Sequence, residues 1–405
     1  MNFQTAAAVL GAMLIAGALL SGLARRSVLS LAGLFALAGF VLGDGWLGLI
    51  SFRAHSGFVE DLAFAALIVI LLRDGLEVEG EMLQRQWHLP LRKLALAMPI
   101  TAVIVAVAAR ALLGLSWTES LLLGALLCPT DPVLTSSIVT DIRVPRLVRH
   151  SLNLESGLND GLALPAVLAF LAALTSSAGH FVWWRFVLQD IGLGLLYGLA
   201  CGWLASLPLR PSSGGARSTP AHQLSLYALG VAFATYGVTV LSPRGNGFIA
   251  VFIAAIVLGV RRADLRRHFQ ERADEIVELV KLGIFLVFGS LLSVHALFHD
   301  GLAAVALVLV TFLLARPLAV LLALIGTDTD YPTRLFMGWF GPKGVATMTF
   351  SLLVLDRHIA SGGRIFDLAA LVVFCSIIVH GASDTPGARW MARRSAAADS
   401  ERAGD

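Results

Sequence analysis

Residues 153–165, NLESGLNDGLALP, place four polar side chains at the start of an otherwise apolar segment. On a helix, Ser156 and Asp160 lie one turn apart, and Glu155 and Asn159 form the neighbouring pair. The four therefore share one polar stripe, which must face the protein interior if the helix crosses a membrane. A buried carboxylate needs a proton or a cation to be tolerated there. We predict that Asp160 binds the two alternately, and so exchanges one for the other.

A second polar group interrupts another apolar segment, in LLCPTDPVLTSS. Pro129 and Pro132 bracket Thr130 and Asp131, and each proline removes a backbone donor and frees a carbonyl four residues earlier. Irregular backbone at membrane depth is tolerated where it lines a cavity or is buried in protein. Free carbonyls, a hydroxyl and a carboxylate together suit a dehydrated alkali cation. The alternative is a kink for packing, in which Asp131 acts as a helix cap.

A matching interruption, WFGPKGVATM, follows later in the chain, where Gly341, Pro342 and Gly344 surround Lys343. It lies seven predicted spans after the first, so the two interruptions occupy corresponding places in two halves of the chain. Such a pair indicates the midplane site of a transporter. Two broken helices that cross there would bring their ends together, and Lys343 would neutralise the negative C-terminal ends. The alternative is again a kink without a transport role.

Three further charged residues lie in or beside apolar segments. Arg316, in FLLARPLAVLL, is a permanently charged partner for Glu155, so we predict a structural ion pair between the two. Lys281, in LVKLGIFLVFG, either reaches the cytoplasmic surface with its long side chain or contacts Asp160. Asp74 lies at the end of a span beside Arg73, a position typical of the membrane surface.

The elements that must position these residues are transmembrane helices. The chain is 57% hydrophobic and 14% charged, whereas soluble domains are about 45–50% apolar and about 25% charged. Apolar runs long enough to cross a bilayer recur along its length. The expected fold class is an all-α polytopic membrane protein with about thirteen transmembrane helices. The predicted spans are 4–23, 27–50, 58–76, 92–114, 117–139, 151–174, 183–207, 223–242, 246–261, 276–295, 301–325, 333–355 and 365–383.

Arginine and lysine concentrate in alternate loops, on the same side as the C-terminal tail. The positive-inside rule then puts the N-terminus outside and the tail in the cytoplasm, for a chain in the plasma (inner) membrane. We predict one transmembrane domain over 1–384 and a short disordered tail over 385–405. Two amphipathic segments, 77–93 and 261–279, are expected to lie along the cytoplasmic surface. The stretch 210–222, rich in Ser, Gly and Pro, is the expected hinge.

The motifs CPTDPV, ESGLND, ARP and GPKG, in this order, resemble the sodium/proton antiporters of the monovalent cation:proton antiporter superfamily, in the branch with an Asn-Asp pair. The resemblance implies inverted repeats with crossing broken helices at spans five and twelve, core helices that include 117–174 and 301–355, dimerisation helices elsewhere, a homodimer and elevator-like alternating access. It implies that Asp160 carries cation and proton in turn, and that Asn159 makes the exchange electroneutral. The family usually has Arg where this chain has Lys343. The implied sodium ligands are Asp160, Thr130, Ser156 and Asp131. The stretch LLRDGLEVEG resembles the acidic end of the family's third helix, which implies a place for Asp74 along the ion path as the alternative to the membrane surface.

The expected function is secondary active exchange of Na⁺, or Li⁺, for H⁺, and a K⁺/H⁺ antiporter would use much the same residues. From a different class, an intramembrane aspartyl protease would also bury two aspartates such as Asp131 and Asp160, but its GxGD pattern is absent. The sequence has no P-loop, so gradients must drive transport. We expect no enzymatic activity, no cofactor and no nucleic-acid or nucleotide partner. The expected partners are the lipid bilayer and a second copy of the chain.

Overall fold

The regular structure of the chain is helical wherever the computed structural model describes it, and the described residues contain no strand. Among the described residues, six helices are long and apolar enough to cross a membrane, and four shorter apolar helices accompany them. The expectation of an all-α polytopic membrane protein is therefore confirmed. The described residues are 8, 11, 12, 15, 31–43, 45–50, 52, 57–78, 88–131, 136–175, 181–209, 221–241 and 245–404.

The helices follow the predicted spans closely. Three of them contain a π turn, at Lys93–Ala97, Val187–Gly192 and Val310–Ala315. In chain order the helices are α1 Leu31–Leu42, α2 Gly57–Glu77, α3 His88–Leu113, α4 Trp117–Leu127, α5 Ser136–Thr140, α6 Arg146–Thr175, α7 Trp183–Ser206, α8 Ala221–Leu241, α9 Gly247–Arg261, α10 Ala263–Ser290, α11 Val294–Leu297, α12 Gly301–Ala323, α13 Tyr331–Trp339, α14 Val345–Asp356 and α15 Gly362–Gly404.

The C-terminal segment corrects one expectation. Residues 385–404 were expected to be disordered, but they continue helix α15. Their sequence is rich in Ala and Arg, which are strong helix formers. In addition, Ala388 and Met391 are buried in an apolar cluster with residues such as Phe340. Packing of the helix against this cluster explains why the small-residue composition does not leave the segment unfolded.

Two other boundaries differ from the predicted ones. Helix α1 covers only 12 residues of the predicted second span. The expected surface segment 261–279 and the tenth span form one continuous helix, α10. Most of the first span, the segment 79–87 and the loop 210–220 lie outside the described residues, so the hinge and the first helix stay predictions.

Local sequence signals explain where several helices begin and end. Ser116 starts α4 with a reciprocal capping box, in which its side chain and that of Glu119 each accept a backbone N–H. The Asn246 side chain accepts the first free N–H groups of α9. Helix α3 ends at Gly114, whose φ of 66° lies in the left-handed region that favours glycine. These caps fix where α3 ends and where α4 and α9 begin.

The chain divides into two compact units. Unit one comprises Met1–Glu60, His88–Ser156 and Leu282–Asp405. Within it, α3 and α4 pack so closely that a Cβ at Gly124 would overlap the Ala102 carbonyl oxygen. Close backbone approach at small residues is the usual way in which membrane helices pack. Unit one thus contains both interruptions that the sequence singled out.

Unit two comprises Asp61–Trp87 and Gly157–Lys281. Within it, helix α7 presents a glycine every four residues to helix α9. A Cβ at Gly198 or Gly202 would overlap α9 backbone or side-chain atoms. The two helices therefore depend on the absence of side chains along this face. Residues 157–174, which the resemblance assigns to the core helices of the transporter, belong to unit two.

Candidate ion-exchange site

The two interrupted helices meet in unit one through their backbones. Helix α4 ends at Leu127, and the chain is non-helical from there to Asp131; likewise it is non-helical between α13 and α14. The Asp131 backbone N–H donates to the carbonyl oxygen of Pro342, with an N–O distance of 2.8 Å. Its carboxylate oxygen Oδ2 accepts the backbone N–H of Val345 at 3.1 Å. Asp131 thus caps the N-terminus of α14, in the opposite broken helix.

Lys343 occupies the reciprocal position at the end of α4. It is fully buried, and its ammonium group donates to the carbonyl oxygens of Cys128 at 3.3 Å and Pro129 at 3.1 Å. The last carbonyls of a helix carry partial negative charge and attract cations. An anion therefore lies at the start of one half-helix and a cation at the end of the other, and each comes from the opposite broken helix.

The other carbonyls at the end of α4 also have protein donors. The Thr347 hydroxyl donates to the Leu126 carbonyl oxygen at 2.9 Å, and the Cys128 thiol lies 3.3 Å from that of Ala125. Backbone groups at membrane depth must find partners inside the protein. The sequence suggests carbonyls in this region as cation ligands. In the structure their hydrogen bonds to protein donors stabilise the crossing of the two broken helices. Thr130 is buried beside them, whereas Pro132 lies outside the described residues.

Two glycines of the second interruption make room for charged side chains. A Cβ at Gly344 would overlap the carboxylate of Asp131, and one at Gly341 would overlap the guanidinium of Arg316. Any larger residue at either place would displace a charged group from its partners. The glycines of GPKG are therefore explained by packing against these two side chains.

Glu155 lies between two cations. Arg316 donates to it in bidentate fashion, with N–O distances of 2.8 and 3.2 Å, and Lys93 contacts the same carboxylate at 2.5 Å. All three are buried. The structure thus brings Glu155 and Arg316 together and adds Lys93, which no motif in the sequence singles out. The Lys93 ammonium also donates to the hydroxyl of Ser151 at 3.2 Å.

Each of these two cationic residues lies at one end of a π turn. Lys93 begins the turn Lys93–Ala97 of α3, and Arg316 follows the turn Val310–Ala315 of α12. A π turn inserts one residue into a helix and is frequent at functional sites. Here both π turns occur next to a side chain that contacts Glu155.

The Asn-Asp pair lies in unit two, on α6. Asn159 and Asp160 are buried, with 2% and 6% of their surface exposed. A Cβ at Gly161 would overlap the ring of Phe252, so α6 and α9 approach closely beside the pair. Ser156, one turn before Asp160, is half-buried and belongs to unit one. The structure therefore places Asp160 on a buried face of α6, next to a close contact with α9.

The remaining candidates also lie in unit two. Asp74 is buried near the end of α2, where Arg73 lies 3.8 Å from it and 2.8 Å from Glu77. Lys281 is 8% exposed on α10 and makes no ion pair with any residue in the described part of the chain. An electrostatic role for Lys281 at Asp160 stays a prediction.

The structure therefore groups the predicted residues in three clusters. Unit one holds the crossing with Asp131 and Lys343, and next to it the ion pair of Glu155, whose partner Arg316 packs against Gly341. Unit two holds the Asn-Asp pair. The joint sodium site that the resemblance implies, with ligands from both units, stays a prediction.

Comparison with known proteins agrees with this architecture. The family profile described as "Sodium/hydrogen exchanger, transmembrane" matches residues 12–390. The K(+)/H(+) antiporter NhaP of Alkalimonas amylolytica is 29% identical over 370 residues, which cover 88% of this chain and 62% of that protein. The K(+)/H(+) antiporter NhaP2 of Shewanella oneidensis is 29% identical over 389 residues, covering 94% and 66%. The chain thus spans less than two thirds of the length of these relatives.

Archaeal proteins match over their whole length. The Probable Na(+)/H(+) antiporter 2 of Methanocaldococcus jannaschii is 22% identical over 426 residues, covering 97% of this chain and 99% of that protein. The solved structure of the sodium proton antiporter MjNhaP1 from the same organism at pH 8 superimposes with a TM-score of 0.81. It is 20% identical, and the match covers 97% of this chain and 100% of the other. At this identity the structural match establishes the fold.

Proposed function

Since the chain belongs to the sodium/hydrogen exchanger family, we propose that it exchanges a monovalent cation for a proton across the membrane. The observation that carries the proposal is the crossing of two broken helices, with Asp131 at one helix end and Lys343 at the other. Half-helix ends of this kind form the ion sites of secondary transporters. Transport, driven by ion gradients and without enzymatic chemistry, is the activity that such a site supports.

Asp160 is the proposed carrier. A buried carboxylate is stabilised either by a proton or by a cation, so occupation by one excludes the other. Thr130, Ser156 and Asp131 are the further sodium ligands that the family resemblance implies. Because Asn159 replaces a second acid, one cation would exchange for one proton and the cycle would be electroneutral.

Glu155 has a different role in this proposal. Its carboxylate is occupied by Arg316 and Lys93. A charge held by two cations in a buried site stays ionised and does not exchange its occupants. We therefore assign Glu155 to the structure of unit one and not to transport.

Sodium, with lithium as a second substrate, is the proposed ion, and potassium is the alternative. The alternative rests on the two relatives named K(+)/H(+) antiporters, which are 29% identical to this chain. The further proposals are a homodimer in the plasma membrane, an outside N-terminus, a cytoplasmic C-terminus and elevator-like alternating access.

The test is proton movement in proteoliposomes that contain a pH-sensitive dye. Sodium, lithium or potassium chloride is added outside, with and without an imposed membrane potential. We expect the wild type to show cation-triggered proton flux whose rate does not depend on the potential. In Asp160→Asn we expect the rate of this flux to fall at least about 100-fold, as for loss of an essential ionisable group. The ion with the lowest half-saturating concentration is the preferred substrate.

Asp141→Asn is the matched control, because it makes the same chemical change in a half-buried loop residue paired with Arg143. It should exchange at the wild-type rate. Flux that survives in Asp160→Asn would remove the carrier role of that residue. Flux that follows the membrane potential would contradict one-for-one exchange and would direct attention to Lys281.

A further inference from the structure

Helix α15 carries a polar stripe that the proposed function does not use. Ser376, His380 and Asp384 follow each other at intervals of four residues in the apolar segment CSIIVHGASD. All three are buried, with 0%, 2% and 7% of their surface exposed. Residues at this spacing share one face of a helix. Polar groups inside a membrane must be satisfied within the protein, so this face must have polar partners.

Two of those partners belong to the second interrupted helix. The backbone N–H of Lys343 donates to the hydroxyl of Ser376 at 2.8 Å. The ring nitrogen Nε2 of His380 lies 3.0 Å from the carbonyl oxygen of Trp339, the last residue of α13. The stripe therefore contacts the interruption at both of its ends.

The third residue contacts the first interrupted helix. An oxygen of Asp384 accepts the backbone N–H of Ile138 at 3.2 Å, in the short helix α5. One face of α15 thus holds parts of both broken helices of unit one. Since α15 is continuous through this region, the two are tied to a single helix.

The directions of the hydrogen bonds around His380 form a chain. A carbonyl oxygen only accepts, so Nε2 must carry the hydrogen that Trp339 receives. In the neutral ring Nδ1 is then the acceptor, and the hydroxyl of Ser376, 3.1 Å away, donates to it. The chain runs from Lys343 N–H through Ser376 to His380 and on to Trp339. The carbonyl oxygen of Ser376 also lies 3.1 Å from Nδ1, but in this tautomer Nδ1 carries no hydrogen to donate to it.

Aromatic rings hold the imidazole in place. The ring of Phe312 lies edge-on at 5.3 Å between centroids, and the ring of Trp339 lies at 5.7 Å. His380 is therefore confined both by its polar partners and by its apolar neighbours. This geometry bridges the non-helical stretch between α13 and α14, which has lost the usual helical hydrogen bonds.

We propose that His380, together with Ser376, is a positioning residue that fixes Lys343 at the end of α4 and thereby the geometry of the ion site. The Lys343 side chain contacts the carbonyl oxygens of Cys128 and Pro129, and its backbone is held by the stripe. A shift of this backbone moves the ammonium group away from those carbonyls, which are two and one residues before Thr130. The consequence for transport rests on the proposed function; the consequence for the crossing does not.

The first test compares His380→Leu with His380→Gln in the proteoliposome assay. The amide of glutamine can still donate to Trp339, whereas leucine fills the space without a donor. We expect the half-saturating cation concentration to rise about tenfold in His380→Leu, as for loss of one buried hydrogen bond, and to stay within about twofold in His380→Gln. A residue needed only for folding would lower the yield and the maximal rate of both variants and leave half-saturation unchanged.

The second test does not depend on transport. Cys128 is buried at the crossing, and the chain has two other cysteines, Cys201 and Cys375. In a variant with serine at those two positions, the rate at which a maleimide labels Cys128 reports opening of the crossing. His380→Leu should raise this rate about tenfold, in line with its effect on half-saturation, and His380→Gln should not.

The two readouts separate the two proposals. If the wild type exchanges no cation but His380→Leu still accelerates labelling of Cys128, the proposed function fails and the positioning role stands. If His380→Leu leaves both labelling and half-saturation at wild-type values, the positioning role is overturned. Equal effects of the leucine and glutamine variants would also overturn it, because the hydrogen bond to Trp339 would then make no difference to labelling or to half-saturation.

Discussion

Two buried carboxylates of unit one, Glu155 and Asp131, are held by different kinds of donor. Glu155 is held by the cationic side chains of Arg316 and Lys93. One oxygen of Asp131 accepts a backbone N–H at the start of α14. The first arrangement fixes a charge, because removing the anion leaves two buried cations. The second fixes a helix end, which a neutral acceptor can also do.

This difference distinguishes a carboxylate with a structural role from one that can take part in transport. A carboxylate that is paired with both a guanidinium and an ammonium group has no free position at which a proton and a metal ion could alternate. A cap belongs to the crossing and changes when the crossing changes, so Asp131 can take part in the ion site while Glu155 cannot. The comparison supports assignment of the carrier role to Asp160, on the other compact unit.

The largest effect is expected from Glu155→Leu. The substitution leaves Lys93 and Arg316 buried without an anion, and breaking a buried ion pair in this way costs about 3–5 kcal/mol. We expect the midpoint of thermal unfolding of the purified protein in detergent to fall by about 5 °C, or folded protein to be lost. The measurement is the unfolding midpoint together with the monodisperse fraction in gel filtration.

A triple variant with Glu155→Leu, Lys93→Met and Arg316→Met tests the explanation. It removes all three charges, and replacing a whole buried ion cluster with apolar residues is often neutral for stability. It should therefore recover much of the lost stability and retain cation exchange. A Glu155→Leu protein that is as stable as the wild type would show that other groups compensate the buried charges of Lys93 and Arg316. A stable triple variant without exchange would give Glu155 a role in transport.

A smaller effect is expected from changes at Asp131. Asp131→Ala removes the cap of α14 and should cost about 1 kcal/mol of stability. Asp131→Asn keeps an acceptor for the Val345 N–H and should unfold at the wild-type temperature. If Asp131 also contributes a negative charge to the cation site, the asparagine variant should raise the half-saturating sodium concentration about tenfold, equivalent to about 1.4 kcal/mol.

The two substitutions therefore separate capping from ion binding. The measurements are thermal unfolding and half-saturation for both variants. An asparagine variant with wild-type half-saturation would leave Asp131 as a cap alone and would remove it from the sodium ligands. An asparagine variant as unstable as the alanine variant would show that the cap requires the charge.

The sequence was sufficient to locate the helices and both interruptions, because prolines, glycines and charges inside apolar runs are visible without a structure. It was also sufficient to suggest the pair of Glu155 with Arg316, since a buried acid needs a buried base. Lys93 was missed because it adjoins the predicted start of a span, where a basic residue normally marks the cytoplasmic side. No sequence pattern indicates that the π turn beginning at Lys93 lies beside Glu155.

The stripe of α15 was missed for a different reason. The spacing of Ser376, His380 and Asp384 is visible in the sequence, but their partners are backbone groups of interrupted or short helices. Which backbone groups lack helical partners depends on where the helices break and which helix packs against the break. The helical C-terminal segment was also missed, because its composition favours disorder and only its packing against Phe340 and its neighbours shows otherwise.

The smallest effect is expected at Asp141, which lies in the loop between α5 and α6. Hydrogen bonds from Arg143 lower the pKa of its carboxyl from 3.8 to about 2. A group whose pKa is lower in the folded state adds stability above its unfolded pKa, and this stability is lost only as the pH falls toward 2. Asp141 is therefore ionised at every pH from 5 to 9, about three units or more above its folded pKa. Asp141→Asn should leave the pH profile of exchange and of thermal unfolding unchanged over that range, measured side by side with the wild type. A shifted profile would mean that Asp141 titrates within the working range, and the pH dependence could then no longer be assigned to buried carboxylates alone.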